Sequence, residues 1–248
     1  MKKFLLLGLI AVLVVGFTAV AHASIDSTYE VAVVTVDGSV QVDEKGSGNW
    51  VAALPGMRLK PGAVIKTGRA SMAEIVYDAE GLNIVNIDEK TQIIVKSDSL
   101  NLSDGSVLVN FYNMKKGSKF VVVTPTAACG IRGSGMGVDV IQGMTVVRAF
   151  EGKVYVRGLD AQGNEVGKEV IIPEGWKTSI AQGGTPEAPE ELSENELKVW
   201  DAWVAVITGE VTPDEEEDVK ALEEESKIED EELDNKDLDE DKTISPSS

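Results

Sequence analysis

From Tyr29 to Ile180, apolar and polar residues alternate with a period of two rather than 3.6. "YEVAVVTV" runs into Asp37-Gly38, and "SVQV" runs into a polar loop with Gly46 and Gly48. "GAVIKT", "SMAEIVY", "LNIVNI", "TQIIVK", "SVLVNFY", "SKFVVVT", "GVDVI", "MTVVRAF", "KVYVRG", "KEVII" and "WKTSI" follow. Val, Ile and Thr dominate these runs, as they do in pleated, half-buried strands. Short runs with turn signals between them, at roughly ten-residue spacing, predict an all-β domain of stacked short strands. Sandwich-like and β-solenoid-like arrangements both fit this pattern, and no segment of the range has the length or spacing of an amphipathic helix.

One unit recurs within the pattern. "DGSVQV" (37–42), "DGSVLV" (104–109) and "EGKVYV" (151–156) share the form acid-Gly-x-Val-x-Val. Each reads as a turn in which glycine takes a positive φ, followed by a strand with alternate valines inward. Two readings stay open: common hairpin chemistry used three times, or a core of similar layers.

The pattern changes after the β region. "GGTPEAPEE" has linker composition. Ser193-Glu194-Asn195-Glu196 then makes a capping box, and Leu197, Trp200, Val204 and Ile207 follow at helical spacing, with Trp203 near that face. A short amphipathic helix stopped by Gly209 and Pro213 is predicted. Its apolar face is expected to pack on the β-domain, with a partner or membrane surface as the alternative. From Asp214 the chain is almost entirely acidic and small polar, with Leu222, Ile228, Leu233 and Leu238 too sparse to offset chain entropy. Residues 211–248 read as a disordered acidic tail.

The other end carries Lys2 and Lys3, an apolar run from Phe4 to Val20, and "AHA" at 21–23. That is the pattern of a secretory signal peptide over residues 1–23, with an uncleaved anchor as the alternative because the apolar run is long. Either way the rest of the chain is expected outside the cytoplasm, periplasmic or secreted. No later run is apolar enough for long enough to span a bilayer.

Charge and composition narrow the chemistry. The formal net charge is −19, yet residues 1–183 carry 18 acidic and 18 basic side chains, so the excess sits in the last quarter of the chain. The only histidine, His22, lies in the predicted leader. Ser-His-Asp and Cys-His catalysis and histidine-ligated metal sites are therefore not expected in the mature chain. The single cysteine, Cys129, reads as a buried, inert thiol. A balanced β region with few aromatics argues against nucleic acid as a partner.

The glycine-rich stretch "TPTAACGIRGSGMGVDV" invites a phosphate-loop reading. Its glycines at 130, 133, 135 and 137 do not give the spacing of a dinucleotide fingerprint, the next segment reads as strand, and no Gly-Lys-Ser/Thr occurs. A turn or bulge, where glycines let two backbones approach, explains it better. Asp139, Glu74 and Asp78 lie in or near strands and raise glycosidase or lyase chemistry, but no pairing shows in the sequence. "DLDEDK" (237–242) starts like a Ca²⁺ loop and lacks the glycine and glutamate that complete one, leaving weak, non-specific divalent cation binding by the tail. No catalytic, cofactor or metal residue is assigned.

Residues from about Val31 to Ile180 resemble the FecR domain family. The resemblance runs through "GSVQV" and the Trp50 loop to Gly56, Leu59, Gly62, Ile65 and Thr67, then Ser71, Ala73 and Ile75, and on to "EGLNIVNIDEKTQIIV". Phe120, Thr124, Pro125, Arg132 and Gly133 match a further segment, and "TVVRAFEGKVYV" and "VIIPEGWKT" match the closing strands. Ser134, Gly135 and Met136 depart from the family's usual Thr and bulky apolar residue after Arg-Gly. Thr124, Pro125, Arg132 and Gly133 are the candidate motif residues, and Arg132 is expected to tie adjacent turns rather than touch a ligand. The resemblance implies a periplasmic domain that binds proteins in surface signalling. Members of that kind carry a cytoplasmic anti-sigma bundle and a membrane helix, whereas this chain reads as an exported, stand-alone member.

The expected organisation is thus a signal peptide (1–23), a FecR-like β-domain (24–183), a linker and helix (184–210) and the acidic tail (211–248). The expected function is a non-enzymatic binding or scaffold module of the bacterial cell envelope, without cofactor, whose partner is an unidentified envelope protein. The alternative is binding or cleavage of an envelope polysaccharide in a β-solenoid groove. That alternative requires clustered aromatics among Trp50, Tyr77, Phe111, Tyr112, Phe120, Phe150, Tyr155 and Trp176.

Overall fold

The computed structural model describes residues 31–112, 114–115 and 117–210; the predicted leader and acidic tail lie outside them. Along the chain come β1 (Val31–Asp37), β2 (Val40–Asp43), β3 (Val51–Ala52), β4 (Arg58–Leu59), β5 (Val64–Thr67), β6 (Met72–Val76), β7 (Asn83–Ile87) and β8 (Gln92–Val95). The longest strand, β9 (Ser99–Phe111), is followed by β10 (Phe120–Val123), β11 (Ala127–Ile131), β12 (Ser134–Ile141), β13 (Met144–Glu151) and β14 (Lys153–Leu159). Then come β15 (Glu165–Pro173), β16 (Trp176–Ile180), β17 (Glu190–Glu191) and one helix, α1 (Glu194–Thr208).

These strands form two sheets that share β9. The first runs β4-β1-β6-β7-β9-β12-β13-β16-β17, and the second β3-β2-β5-β8-β9-β10-β11-β14-β15. The first half of β9 pairs with β8 and β10 (Leu100↔Val95, Leu100↔Val122). Its second half pairs with β7 and β12 (Val109↔Val85, Val109↔Met136). The inner faces meet in one apolar core that joins Val33, Ile75, Val85 and Val138 to Val42, Ile65, Ile93 and Ile131. The period-two pattern arises because each strand has one face in this core. The all-β expectation holds. Its solenoid-like variant is not confirmed, since every pairing among the described residues is antiparallel except β9–β10.

The recurring acid-Gly unit marks the corners where the chain passes between sheets. β1 gives way to β2 at Asp37-Gly38, β13 to β14 at Glu151-Gly152, and β9 itself crosses at Asp104-Gly105. The last of these is not the turn expected from sequence; it is a bend inside a continuous strand. All three glycines have positive φ: 70°, 92° and 69° for Gly38, Gly105 and Gly152. Each also faces a hydroxyl residue: a Cβ on Gly38 would stand 2.4 Å from Ser71 Oγ, on Gly105 2.1 Å from Thr91 Oγ1, and on Gly152 2.6 Å from Ser134 Oγ. Two of these hydroxyls hold the bend by accepting the next backbone N–H, from Ser39 and from Ser106, both at 2.9 Å.

At one end of the core, Tyr77, Phe111 and Phe120 pack with centroid separations of 5.7, 4.9 and 4.3 Å. Burial and the nearby Asp98 raise the Tyr77 phenol pKa, so it stays neutral and donates to the Ser99 carbonyl. Cys129 is fully buried as a free thiol whose pKa burial also raises, which removes thiolate chemistry.

Candidate functional site

The sequence explains why α1 forms where it does. Ser193 Oγ accepts the Glu196 N–H while the Glu196 carboxylate accepts the Ser193 N–H, the reciprocal capping box predicted from the sequence. At the other end Gly209 adopts a left-handed conformation, and the N–H groups of Gly209 and Glu210 donate to Val206 and Ala205 carbonyls. Between these caps, Trp200 and Trp203 are buried. Leu197, read from spacing as part of the apolar face, is instead 36% exposed.

α1 lies across the outer face of the first sheet. Trp200 and Trp203 cluster with Val76, Ile84, Phe150 and Leu192, and Ala32, Leu108, Val204 and Ile207 close the margins. The Trp200 ring stacks on Phe150 at 4.7 Å between centroids with 5° between planes. It fits because β12 presents glycine there: a Cβ on Gly135 would fall 2.2 Å from the Trp200 ring, and one on Gly137 3.0 Å from Phe150. Gly135 and Gly137 of the "GSGMG" stretch therefore make room for aromatic rings rather than a phosphate, while Gly133 lies in a turn and the β12–β13 register shifts between Gly135 and Met136, as the turn-or-bulge reading expects.

Polar groups are distributed through this apolar seat. The Trp203 indole N–H donates to Glu74 Oε1 at 2.9 Å, while Thr35 donates to Glu74 Oε2 at 2.6 Å. The Arg148 guanidinium bridges sheet and helix: one N–H goes to Asp139, and Nε donates to Glu196 Oε1 at 2.6 Å. Asp139 accepts from Ser106 on its other oxygen, and Lys177 reaches Glu196 at 3.1 Å. Burial alone would lower the Arg148 pKa, but its two carboxylates outweigh that and raise it. Burial alone would raise the Glu196 pKa; hydrogen bonds from Arg148 and Ser193 outweigh it and hold the carboxyl at about 2. Beneath the helix, fully buried Asn110 has no hydrogen-bond partner for either amide atom.

The candidate motif residues sit elsewhere, around the turns flanking β11. Thr124 Oγ1 accepts the Ala127 N–H at 2.9 Å and lies 2.6 Å from the Thr145 hydroxyl, which Thr126 approaches to 2.5 Å. Three buried threonine hydroxyls thus fasten the β10–β11 turn, with Pro125 exposed at its tip, to β13. Arg132 is exposed with its guanidinium 4.9 Å from the Tyr155 ring centroid, and Gly133 turns the chain at φ 95°. Of the carboxylates weighed for hydrolysis, Glu74 and Asp139 both hold structural partners under α1. Asp78 accepts the Leu82 N–H in the β6–β7 turn. The Arg148–Glu196 bridge escaped sequence reading because Glu196 had a sufficient local role as the capping residue. The one available signal was the pair of alternating glycines, Gly135 and Gly137, opposite a helix with two tryptophans.

The FecR protein family model matches residues 63–155, from the residue before β5 into β14. Two crystal structures of a candidate anti-sigma factor from Parabacteroides distasonis ATCC 8503 are similar over 56% of this chain and 64% of theirs. Their identities are 15% and 16%, with TM-scores of 0.45 and 0.43. The similarity therefore spans less than two thirds of those chains. No curated protein matches the chain. No helix among the described residues is long and apolar enough to cross a membrane.

Proposed function

We propose that this chain is an extracytoplasmic, non-enzymatic FecR-like module that binds another protein of the bacterial envelope, in the manner of a surface-signalling component. The FecR segment at 63–155 carries this reading. The signal-type leader supports export, and the commitment of Glu74, Asp139 and Glu196 to structural bonds argues against catalysis. Trp50, Val51 and Leu54, at 39%, 48% and 61% exposure, form a short apolar stretch free to contact such a partner.

The polysaccharide alternative required clustered aromatics. Of the eight candidates, Tyr77, Phe111 and Phe120 are locked together in the core, and Phe150 lies under Trp200. Trp50 and Tyr112 are exposed on separate elements, so the protein-binding reading is favoured.

The test is site-specific photo-crosslinking in the native envelope, with the crosslinker at residue 50 in the full chain and at residue 168 as a control. One reproducible adduct from residue 50, lost on Leu54→Asp, is the expected result. Identical adduct patterns from both positions, or binding to isolated envelope glycan instead, would overturn the reading.

A further inference from the structure

The seat of α1 has an unusual property: the two buried charged groups that the sheet offers to the helix, Glu74 and Arg148, each keep a partner within the sheet. Glu74 keeps Thr35 when Trp203 leaves, and Arg148 keeps Asp139, itself held by Ser106, when Glu196 leaves. Removing one partner of a buried charge is normally costly because the other is stranded. Here departure strands neither buried charge, and Lys177, which gives up Glu190 and Glu196, is already partly open to water. What it exposes is a preformed seat: the notch at Gly135, the Phe150 ring, and the cations Arg148 and Lys177 at one end. The Asn110 amide on this face is unpartnered even with α1 in place, so leaving costs it no bond.

The connection to α1 also has a definable hinge. After β16, the Gly184 N–H donates to Ala181 at 2.9 Å, closing a tight turn in which Gly183 has φ 68°. Thr185 lies against Gly158 and Gly167 of the second sheet, and the chain after it attaches to the first sheet. Glu187 bonds Ser179, β17 pairs with β16 through Glu190 and Glu191, Leu192 donates to Gly175, and α1 takes its seat. Opening the turn releases this segment, and each contact can be remade on an identical chain.

We propose that residues 185–208 exchange between two copies of this chain, α1 of each seating on the first sheet of the other. The occupant is fixed by the chemistry of the seat: it takes a helix with a carboxylate one turn before an aromatic pair, three residues apart, and α1 supplies Glu196, Trp200 and Trp203 in that order. Exchange of an identical element makes a closed two-fold dimer with no new interface to evolve. Within one copy the helix acts at a local concentration in the millimolar range, so the closed monomer dominates in dilute solution.

A complementation experiment with full-length chains tests this. One variant carries Trp200→Ala and Trp203→Ala, which removes the anchors and leaves the seat. The other carries Gly135→Leu, which fills the notch and leaves the helix. Each alone is expected to be monomeric by light scattering, and mixing is expected to give a 1:1 complex with blue-shifted tryptophan emission. Two monomers that stay monomeric on mixing overturn the proposal. If Gly135→Leu loses its β-sheet circular dichroism, a labelled Thr185–Glu210 peptide takes its place. It should bind the double-alanine chain saturably, bind the intact chain at least tenfold more weakly, and lose about tenfold on Glu196→Gln, as for a hydrogen bond to a charged group. No binding, or equal binding to both chains, overturns it.

Discussion

The inner face of the first sheet buries Val33, Ile75, Val85, Val109, Val138 and Val147 against the second sheet, whereas its outer face buries Glu74, Asn86, Asn110 and Asp139 beside Phe150 under α1. The strands are the same and the alternation is the same, yet one side is aliphatic and the other mixes aromatic rings with charge. The inner face meets partners with the same period-two pattern, and dispersion and desolvation suffice to hold them. The outer face meets a single helix, whose position must be set by directed bonds: Trp203 to Glu74, Glu196 to Arg148. A face covered by directed bonds can be uncovered one bond at a time. A face covered by packing gives way only with the whole fold.

That contrast is broken most severely from the inside. Phe120→Ala removes the centre of the Tyr77–Phe111–Phe120 cluster and should cost about 4 kcal/mol. Urea titration should show a fall in the midpoint, with near-UV and far-UV signals lost in one transition. Loss of the α1 tryptophan signal well before the far-UV signal would place the weak point on the outer face instead.

Arg148→Met attacks the outer face. It leaves Asp139 and Glu196 without their shared cation in a site where the side chains are only 8% and 10% exposed, and should cost about 3 kcal/mol. The expected signature differs from that of Phe120→Ala: tryptophan emission shifts red, as Trp200 and Trp203 meet water, while the β-sheet spectrum is retained. Simultaneous loss of both would show that the strap and the sandwich are one cooperative unit.

Gly105→Ala probes the strand that belongs to both sheets. The new methyl would collide with Thr91 at a φ of 92°, where a side chain is strained in any case, and a destabilisation of about 2 kcal/mol is expected. Thr91→Ser should relieve none of it, because the Thr91 backbone Cα also stands 2.5 Å from the added carbon. Ser193→Ala removes only the helix cap and should cost about 1 kcal/mol, read as earlier fraying of α1 by hydrogen exchange.

The inner face was largely legible in the sequence because it is periodic: Val, Ile and Thr at every second position identify strands wherever they occur, and acid-Gly units identify bends. The crossing of β9 was not legible, since Asp104-Gly105 looks the same whether the chain turns back or passes into another sheet. The helix was legible from Ser193 to Gly209 because caps and spacing are local. Its seat was not: Glu74 lies 129 residues from Trp203, and nothing in either neighbourhood announces the other. Thr124, Pro125, Arg132 and Gly133 stood out as motif residues, and the structure places them at the turns flanking β11. Gly135, read as a departure from the family pattern, proves to be the notch for Trp200.

Lowering the pH should separate the two faces without a mutation. The Glu196 carboxyl is held at about 2, below its ordinary 4.5, by Arg148 and Ser193. A carboxyl whose pKa is depressed by folding contributes stability that is fully present above the unfolded value and is lost as pH falls through the folded one. Docking of α1 should therefore be unchanged from pH 7 to about 5 and weaken progressively from about 4.5 toward 2, as proton uptake removes the charge facing Arg148. The inner aliphatic face has no group that titrates in this window. Tryptophan emission should shift red across it while the far-UV β-sheet signal persists, and Glu196→Gln should already show part of that shift at pH 7 and lose its pH dependence. A parallel loss of both signals, or a transition in Glu196→Gln at the same pH as in the parent chain, would assign acid sensitivity to another carboxylate.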